Sequence, residues 1–262
     1  MKGKKFWQFQ ANAKDQGVGE LMLYGDISDI SWWGDEVTPK QFKEDLDALG
    51  DITELRIYIN SGGGDVFAGQ AIHSMLKRHS ATKIVYIDGL AASIASVIAM
   101  AGDKIIMPTN AMMMIHNCWT IALGNADEMR KIADDLDKID ESIIAAYVAK
   151  TGLEEADIVE LMEDETWMTA QDAIDYGFAD EIEESKQVAA SLRNGVLVIN
   201  GQSIDISRFA NVPDFPKSRK ITRTRAQPAP VPTPAPEPEP EPVDKALQIA
   251  KAKMMLEIEL GR

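Results

Sequence analysis

Ser93 sits near the start of the run GLAASIASVIAMAG (89–102), where glycine, alanine and aliphatic residues surround two hydroxyls, Ser93 and Ser96. A serine at the mouth of an apolar helix has two uses. It caps the first amides of the helix, or it serves as a nucleophile held beside backbone donors. The surroundings of Ser93 favour the second use. It follows the β-rich run KIVYIDG (83–89) and opens a helical run. Its side chain and the amide of Ile94 would therefore emerge at the carboxyl edge of a sheet, where open α/β folds bind ligands. Gly89, Ala91, Ala92 and Ala95 leave that surface bare for a substrate backbone.

A second strand-to-turn junction, IYINSGGGDVFAG (57–69), carries Gly62, Gly63 and Gly64 in succession. Glycines there tolerate positive φ and expose amides, as an oxyanion hole or a phosphate cradle requires. The run lacks the Gly-Lys-Ser/Thr of a Walker loop and does not fit G-x-G-x-x-G. A serine hydroxyl also needs a base, and the chain has three histidines. His73 and His79 fall on the helical run AGQAIHSMLKRH (68–79), where a surface position is the default. His116 closes the apolar strand-like run MMMIHN (112–117), a placement suited to facing a cleft, and is the candidate base. Cys118 could share a face with His116 and imitate a Cys-His pair, although a buried free thiol is the simpler reading.

The elements that must position these groups alternate. ELMLYG (20–25), ELRIYIN (54–60), KIVYIDG, KIIM (104–107) and MMMIHN have strand patterns, and 39–50, 68–79 and 93–102 have helical ones. This spacing implies crossover connections, hence an α/β fold with a mostly parallel sheet. From Ala126 to Lys150, Met129, Ile132, Leu136, Ile139, Ile143 and Tyr147 recur at helical steps, predicting a long amphipathic helix ended by Gly152. Two shorter helices follow, over 154–162 and 169–177.

The chain carries 42 Asp and Glu against 27 Lys and Arg, a net charge of −15. Residues 126–184 alone hold 20 acids against four bases. Such acidity argues against nucleic acid as a partner of the main domain. One cysteine excludes an intramolecular disulfide and fits a reducing compartment. The N-terminal stretch is basic without an apolar core, and no stretch is long and apolar enough to span a bilayer, so a cytoplasmic protein without a membrane partner is expected. Beyond a domain over 1–185, an extension over 186–225 contains a hairpin pattern turning at Asn200-Gly201 and a basic segment, KSRKITRTR (217–225). A Pro/Glu-rich linker over 226–243 reads as extended and disordered, and a helical tail over 244–262 needs a partner.

Taken in order, YINSGGG, GLAASIAS, MMMIHN and TWMTAQDAIDYGFAD resemble the ClpP-like serine peptidases (family S14), especially the phage head-maturation branch. The resemblance runs from about Leu21 to Ile182. It implies a ClpP/crotonase-like fold, Ser93 as nucleophile, His116 as general base, and the amides of Gly64 and Ile94 as oxyanion hole. Gly63, Asp65, Val66 and Trp119 are expected beside the substrate. The helix over 126–150 would be a protruding handle through which homo-oligomeric rings stack. No metal or cofactor is expected. The family's third triad member is an aspartate; the matching position here is Glu165, with Asp164 as its neighbour and reserve. Gly62 stands where the family usually has proline, which predicts a more mobile loop. The function implied is an ATP-independent serine endopeptidase processing capsid or scaffold proteins, with the C-terminal tail as a tether to such a partner. Two other classes compete: a crotonase-like enzyme binding acyl-CoA without a reactive serine, and an assembly factor with a decayed site.

Overall fold

The computed structural model describes residues 5–12, 14–15, 17–28, 39–184, 190–193, 196–199 and 202–213. All of these belong to one compact unit. The Asn200-Gly201 turn, the basic segment 217–225, the linker 226–243 and the tail 244–262 lie outside the described residues.

In chain order the elements are β1 (Trp7–Ala11), β2 (Val18–Tyr24), α1 (Pro39–Asp47), β3 (Glu54–Ser61), α2 (Val66–Arg78), β4 (Thr82–Ala92), α3 (Ile94–Ala99), β5 (Lys104–Pro108) and β6 (Met112–Ile115). Then come α4 (Ala126–Thr151), α5 (Glu155–Glu163), β7 (Thr166–Thr169), α6 (Ala170–Asp175), β8 (Glu181–Glu183), β9 (Ala190–Arg193), β10 (Val196–Ile199) and β11 (Gln202–Asp205). The main sheet runs β1-β2-β3-β4-β5-β8, with β6 pairing β4 and β7 pairing β6. Its β2-β3-β4-β5-β8 and β4-β6 pairs are parallel, and only the β1-β2 and β6-β7 pairs are antiparallel. The mixed α/β class with a mostly parallel sheet is therefore as the alternation of elements implies.

Strands β2 and the first part of β3 alternate buried and half-buried residues, and β3 ends in a fully buried run that enters the glycine turn. The core joins Leu55, Ile57 and Ile59 of β3 and Val85 and Ile87 of β4 to Phe42, Leu46, Ile72 and Leu76 of α1 and α2. Helix α4 is closed at its start by a capping box on Asn125 and Glu128 and at its end by Gly152 in the left-handed conformation. Its apolar stripe is unevenly used. Ile143 and Tyr147 are buried, whereas Met129 is 36% exposed and the turns before Ile139 face mainly outward.

Strands β9, β10 and β11 form a separate antiparallel sheet, in which Ile199 pairs with Gln202 as a tight hairpin pattern requires. This sheet lies on the main one. Leu197, Ile204, Ile206 and Phe209 bury against Leu90 and Ala92 of β4 and Met114 of β6, making a second apolar cluster. Shortening Ile204 to alanine should cost about 2–5 kcal/mol, the usual range for emptying such a buried position. Urea denaturation of the full chain, compared with wild type, measures it.

Candidate active site

Strand β4 outruns β5: its last residues pair with β6, Ala92 opposite Met114, and the Ser93 amide donates to the Met114 carbonyl at 2.9 Å. Adjacent parallel strand ends therefore deliver Ser93 and His116 to the same edge. The Ser93 Oγ and His116 Nε2 are 2.9 Å apart. Ser93 occupies the N-cap position of α3, yet its side chain makes no capping bond, and its backbone has φ 55° and ψ −134°. For a residue with a Cβ this is a strained conformation, of the kind that accumulates where a side chain must be held in a set direction. The second hydroxyl has a different task. Ser96 is buried and donates to the Ser93 carbonyl at 2.6 Å, while its oxygen lies 2.7 Å from the buried Tyr147 hydroxyl of α4.

The glycine turn packs directly behind Ser93. Gly63 has φ +90°, and a Cβ there would lie 2.6 Å from that of Ser93, so only glycine allows the approach. The Ser61 hydroxyl fixes the turn by donating to the Gly25 carbonyl and accepting the Gly63 amide. Ile27 bridges Gly64, with its amide on the Gly63 carbonyl and its carbonyl on the Asp65 amide. Among the described residues, no group accepts the Gly64 amide. Gly64 and Ile94 both line a cavity of about 220 Å³ together with Ser93, His116, Val66 and Trp119. Ile143 and Tyr147 of α4, Arg208 and Phe209 complete much of its wall. Its lining is mostly apolar, with Ser93, His116 and Arg208 as its polar and charged members beside Tyr147 and Cys118.

Other expected site residues fall elsewhere. Asp65 caps α2, its carboxylate accepting the Ala68 amide at 2.7 Å, and Gly63 is buried behind Ser93. Asp164 is exposed and closes α5. Glu165 follows Asp164 with a positive φ of 47°, uncommon for a residue with a Cβ. Its carboxylate accepts the amides of Ala210 at 2.8 Å and Asn211 at 2.7 Å, and the Trp167 indole at 3.2 Å. Among the described residues, no side chain hydrogen-bonds the second ring nitrogen of His116. Gly62 is buried rather than loose: Arg208 donates to its carbonyl at 2.5 Å, and a Cβ there would come within 2.6 Å of Ile204. A proline at this position would collide with the β9–β11 sheet.

Burial pushes the His116 imidazole below its ordinary value. The Glu165 carboxylate opposes that shift, the Arg208 guanidinium adds to it, and Asp140 also opposes it. Cys118 is half-buried, and burial together with a hydrogen bond to Asp140 pushes its thiol up to about 12, so it stays protonated near neutrality. His79 ends α2 with its ring accepting the Ala81 amide, and neither it nor His73 lines the cavity.

A family model described as Clp protease matches residues 41–186. The chain is 31% identical over 140 residues to the ATP-dependent Clp protease proteolytic subunit of Deinococcus radiodurans, covering 52% of this chain and 68% of that one. Its counterpart in Ligilactobacillus salivarius is 35% identical over 145 residues, covering 54% and 73%. That of Bacteroides fragilis is 31% identical over 140 residues, covering 52% and 67%. The chain belongs to the Clp protease family. Strands β9–β11 and the turn after them lie outside the matched span.

The charges around the imidazole set a sign that NMR titration can check. In wild type, His116 should titrate below about 6.5. Glu165→Gln removes an anion that favours the imidazolium and should lower the midpoint further. Arg208→Gln removes a cation and should raise it.

Proposed function

We propose that this protein is a serine endopeptidase working through an acyl-enzyme. The observation that carries this reading is the 2.9 Å contact between Ser93 Oγ and His116 Nε2 beside two glycine-turn and helix-start amides in one apolar cavity. His116, kept neutral by burial, takes the Ser93 proton as the oxygen attacks a peptide carbonyl. The amides of Gly64 and Ile94 receive the charge that develops on the carbonyl oxygen. His116 returns the proton to the leaving amine, and water then resolves the ester by the reverse sequence. Glu165 supplies a fixed negative charge that stabilises the imidazolium, with Asp164 too exposed for the role.

A substrate would lie extended beside Gly64. The Ile27 bridge occupies one edge of this segment through Gly63 and Asp65, so the substrate uses the other edge, where the Gly64 amide and carbonyl face. Main-chain pairing of this kind selects shape and extension more than sequence. Val66, Trp119, Ile143 and Tyr147 favour an apolar side chain in the cavity. Trp119, Ile121 and Leu123 are exposed at every second position, next to the outward-facing half of α4. We assign this apolar surface to contacts between copies of the chain in a ring-shaped homo-oligomer. The relatives' names carry ATP dependence; for this chain we take cleavage to be ATP-independent, as the resemblance to the head-maturation branch implies. Capsid or scaffold proteins of a phage head are the proposed substrates, supported by the four blocks that resemble that branch.

A fluorophosphonate probe should add one phosphonyl group to the full chain, at Ser93 by peptide mapping. Ser93→Ala should keep its fold by circular dichroism and lose at least about 10³-fold in turnover of a casein-like unfolded protein. Wild type that leaves the probe unreacted while binding acyl-CoA would favour the crotonase-like alternative. Cys118 should resist iodoacetamide at pH 7.5 under the same conditions, in keeping with its protonated thiol.

A further inference from the structure

The turn after β11 touches three separate parts of the site, although it lies beyond the span that matches the family. Asp205 starts it by accepting the Ser207 amide and hydroxyl, and the Phe209 amide closes it on the Ile206 carbonyl. Ile206 and Phe209 are buried in the second apolar cluster, so the turn is seated on the main sheet. Arg208 then reaches the Gly62 carbonyl, immediately before the turn whose Gly64 amide faces the cavity. The Phe209 ring stands edge-on to His116, with centroids 5.5 Å apart, and edge-on to Trp167 at 5.6 Å. The next two amides converge on the Glu165 carboxylate, one on each oxygen, and the Asn211 side chain donates to the Asp164 carbonyl at 2.8 Å.

We propose that residues 206–211 are a positioning strap for catalysis: the Ala210 and Asn211 amides fix Glu165, Phe209 buttresses His116, and Arg208 fixes the carbonyl behind the oxyanion edge. This rests on the peptidase reading of Ser93 and His116. The physical need is specific to this chain. A glutamate has one more rotatable bond than an aspartate, so its carboxylate must be tied down before its charge can act from a set place. Two backbone N–H groups are suited to this, because they follow directly on a turn anchored in the apolar cluster by the buried Ile206 and Phe209 and are not free to follow the carboxylate if it swings. A further consequence concerns Gly62. The strap and β11 require a residue without a Cβ there, which couples this glycine to the presence of the appended sheet.

The test uses full-length chain and a fluorogenic peptide that wild type cleaves. Ala210→Pro and Asn211→Pro each delete one N–H to Glu165 without altering Ser93, His116 or Glu165. Each should lower kcat by about 10- to 100-fold with KM little changed, the size expected when a reacting group is misplaced by around an ångström. Asn211→Ala, which keeps the N–H, should recover most of the loss. An unchanged kcat in both proline variants would overturn the proposal, and a raised kcat would overturn it by making the turn inhibitory. For proline variants that do not fold, amide hydrogen exchange of wild type replaces them. The Ala210 and Asn211 amides should exchange slowly both in free protein and after phosphonylation of Ser93, and fast exchange in either state would overturn the strap. Failure of Ser93 to react with the probe in wild type would instead sink the peptidase reading.

Discussion

The register of β4 against β6 is the constraint on which the site depends. Leu90, Ala91 and Ala92 pair with Met112, Met113 and Met114, so the two chains leave the sheet side by side, one at Ser93 and the other at His116. A slip of one residue would turn every side chain of β6 to the opposite face and move the imidazole away from the hydroxyl. The register is held from both sides of the sheet. Ala91 and Met113 lie in the main core, while Leu90, Ala92, Met112 and Met114 contact the second cluster under β10 and β11. Alternation along two short strands thus places two residues that are 23 positions apart within hydrogen-bonding distance.

Much of this was legible in the residues themselves. KIVYIDG followed by small residues and a serine, and MMMIHN closing on a histidine, are local patterns whose strand ends and turn follow from β propensity and from the absence of bulk. The hairpin pattern over 196–206 was legible for the same reason, and its strands pair as Asn-Gly between apolar runs requires. What the pattern did not carry was where that hairpin goes. Nothing local says that Ile204 will cover Gly62, or that an amide 46 positions from Glu165 will bind its carboxylate. The short strands β1, β7 and β8 also escaped the pattern. They are short edge pieces whose pairing depends on a strand distant in sequence or on a turn between them, and TWMT reads equally well as the approach to the helix it precedes.

The departure at Gly62 has a tertiary setting that its neighbours in the chain do not announce. Read alone, a glycine in place of a proline gives the chain more freedom. In the folded protein the missing Cβ makes room for the appended sheet, and Arg208 secures the carbonyl. The carbonyl of this glycine is held by a residue 146 positions further along the chain. Glu165 likewise has a setting that its neighbours in the chain do not show: a positive φ and two amide donors from residues 210 and 211.

Ser96 joins the site to the helix that reaches furthest from it. With a single proton donated to the Ser93 carbonyl, the Ser96 oxygen must accept from the Tyr147 hydroxyl, and burial keeps that phenol protonated at all ordinary pH. The strained backbone of Ser93 is therefore tied by two hydrogen bonds to α4, whose C-terminal half is core and whose N-terminal half faces outward. Tyr147, Ser96 and the Ser93 carbonyl form one hydrogen-bonded chain from the helix to the residue in the unusual conformation. Ile143 and Tyr147 also line the cavity, so this end of α4 is wall as well as anchor. The buried half of this helix is thus joined both to the candidate serine and to the pocket beside it.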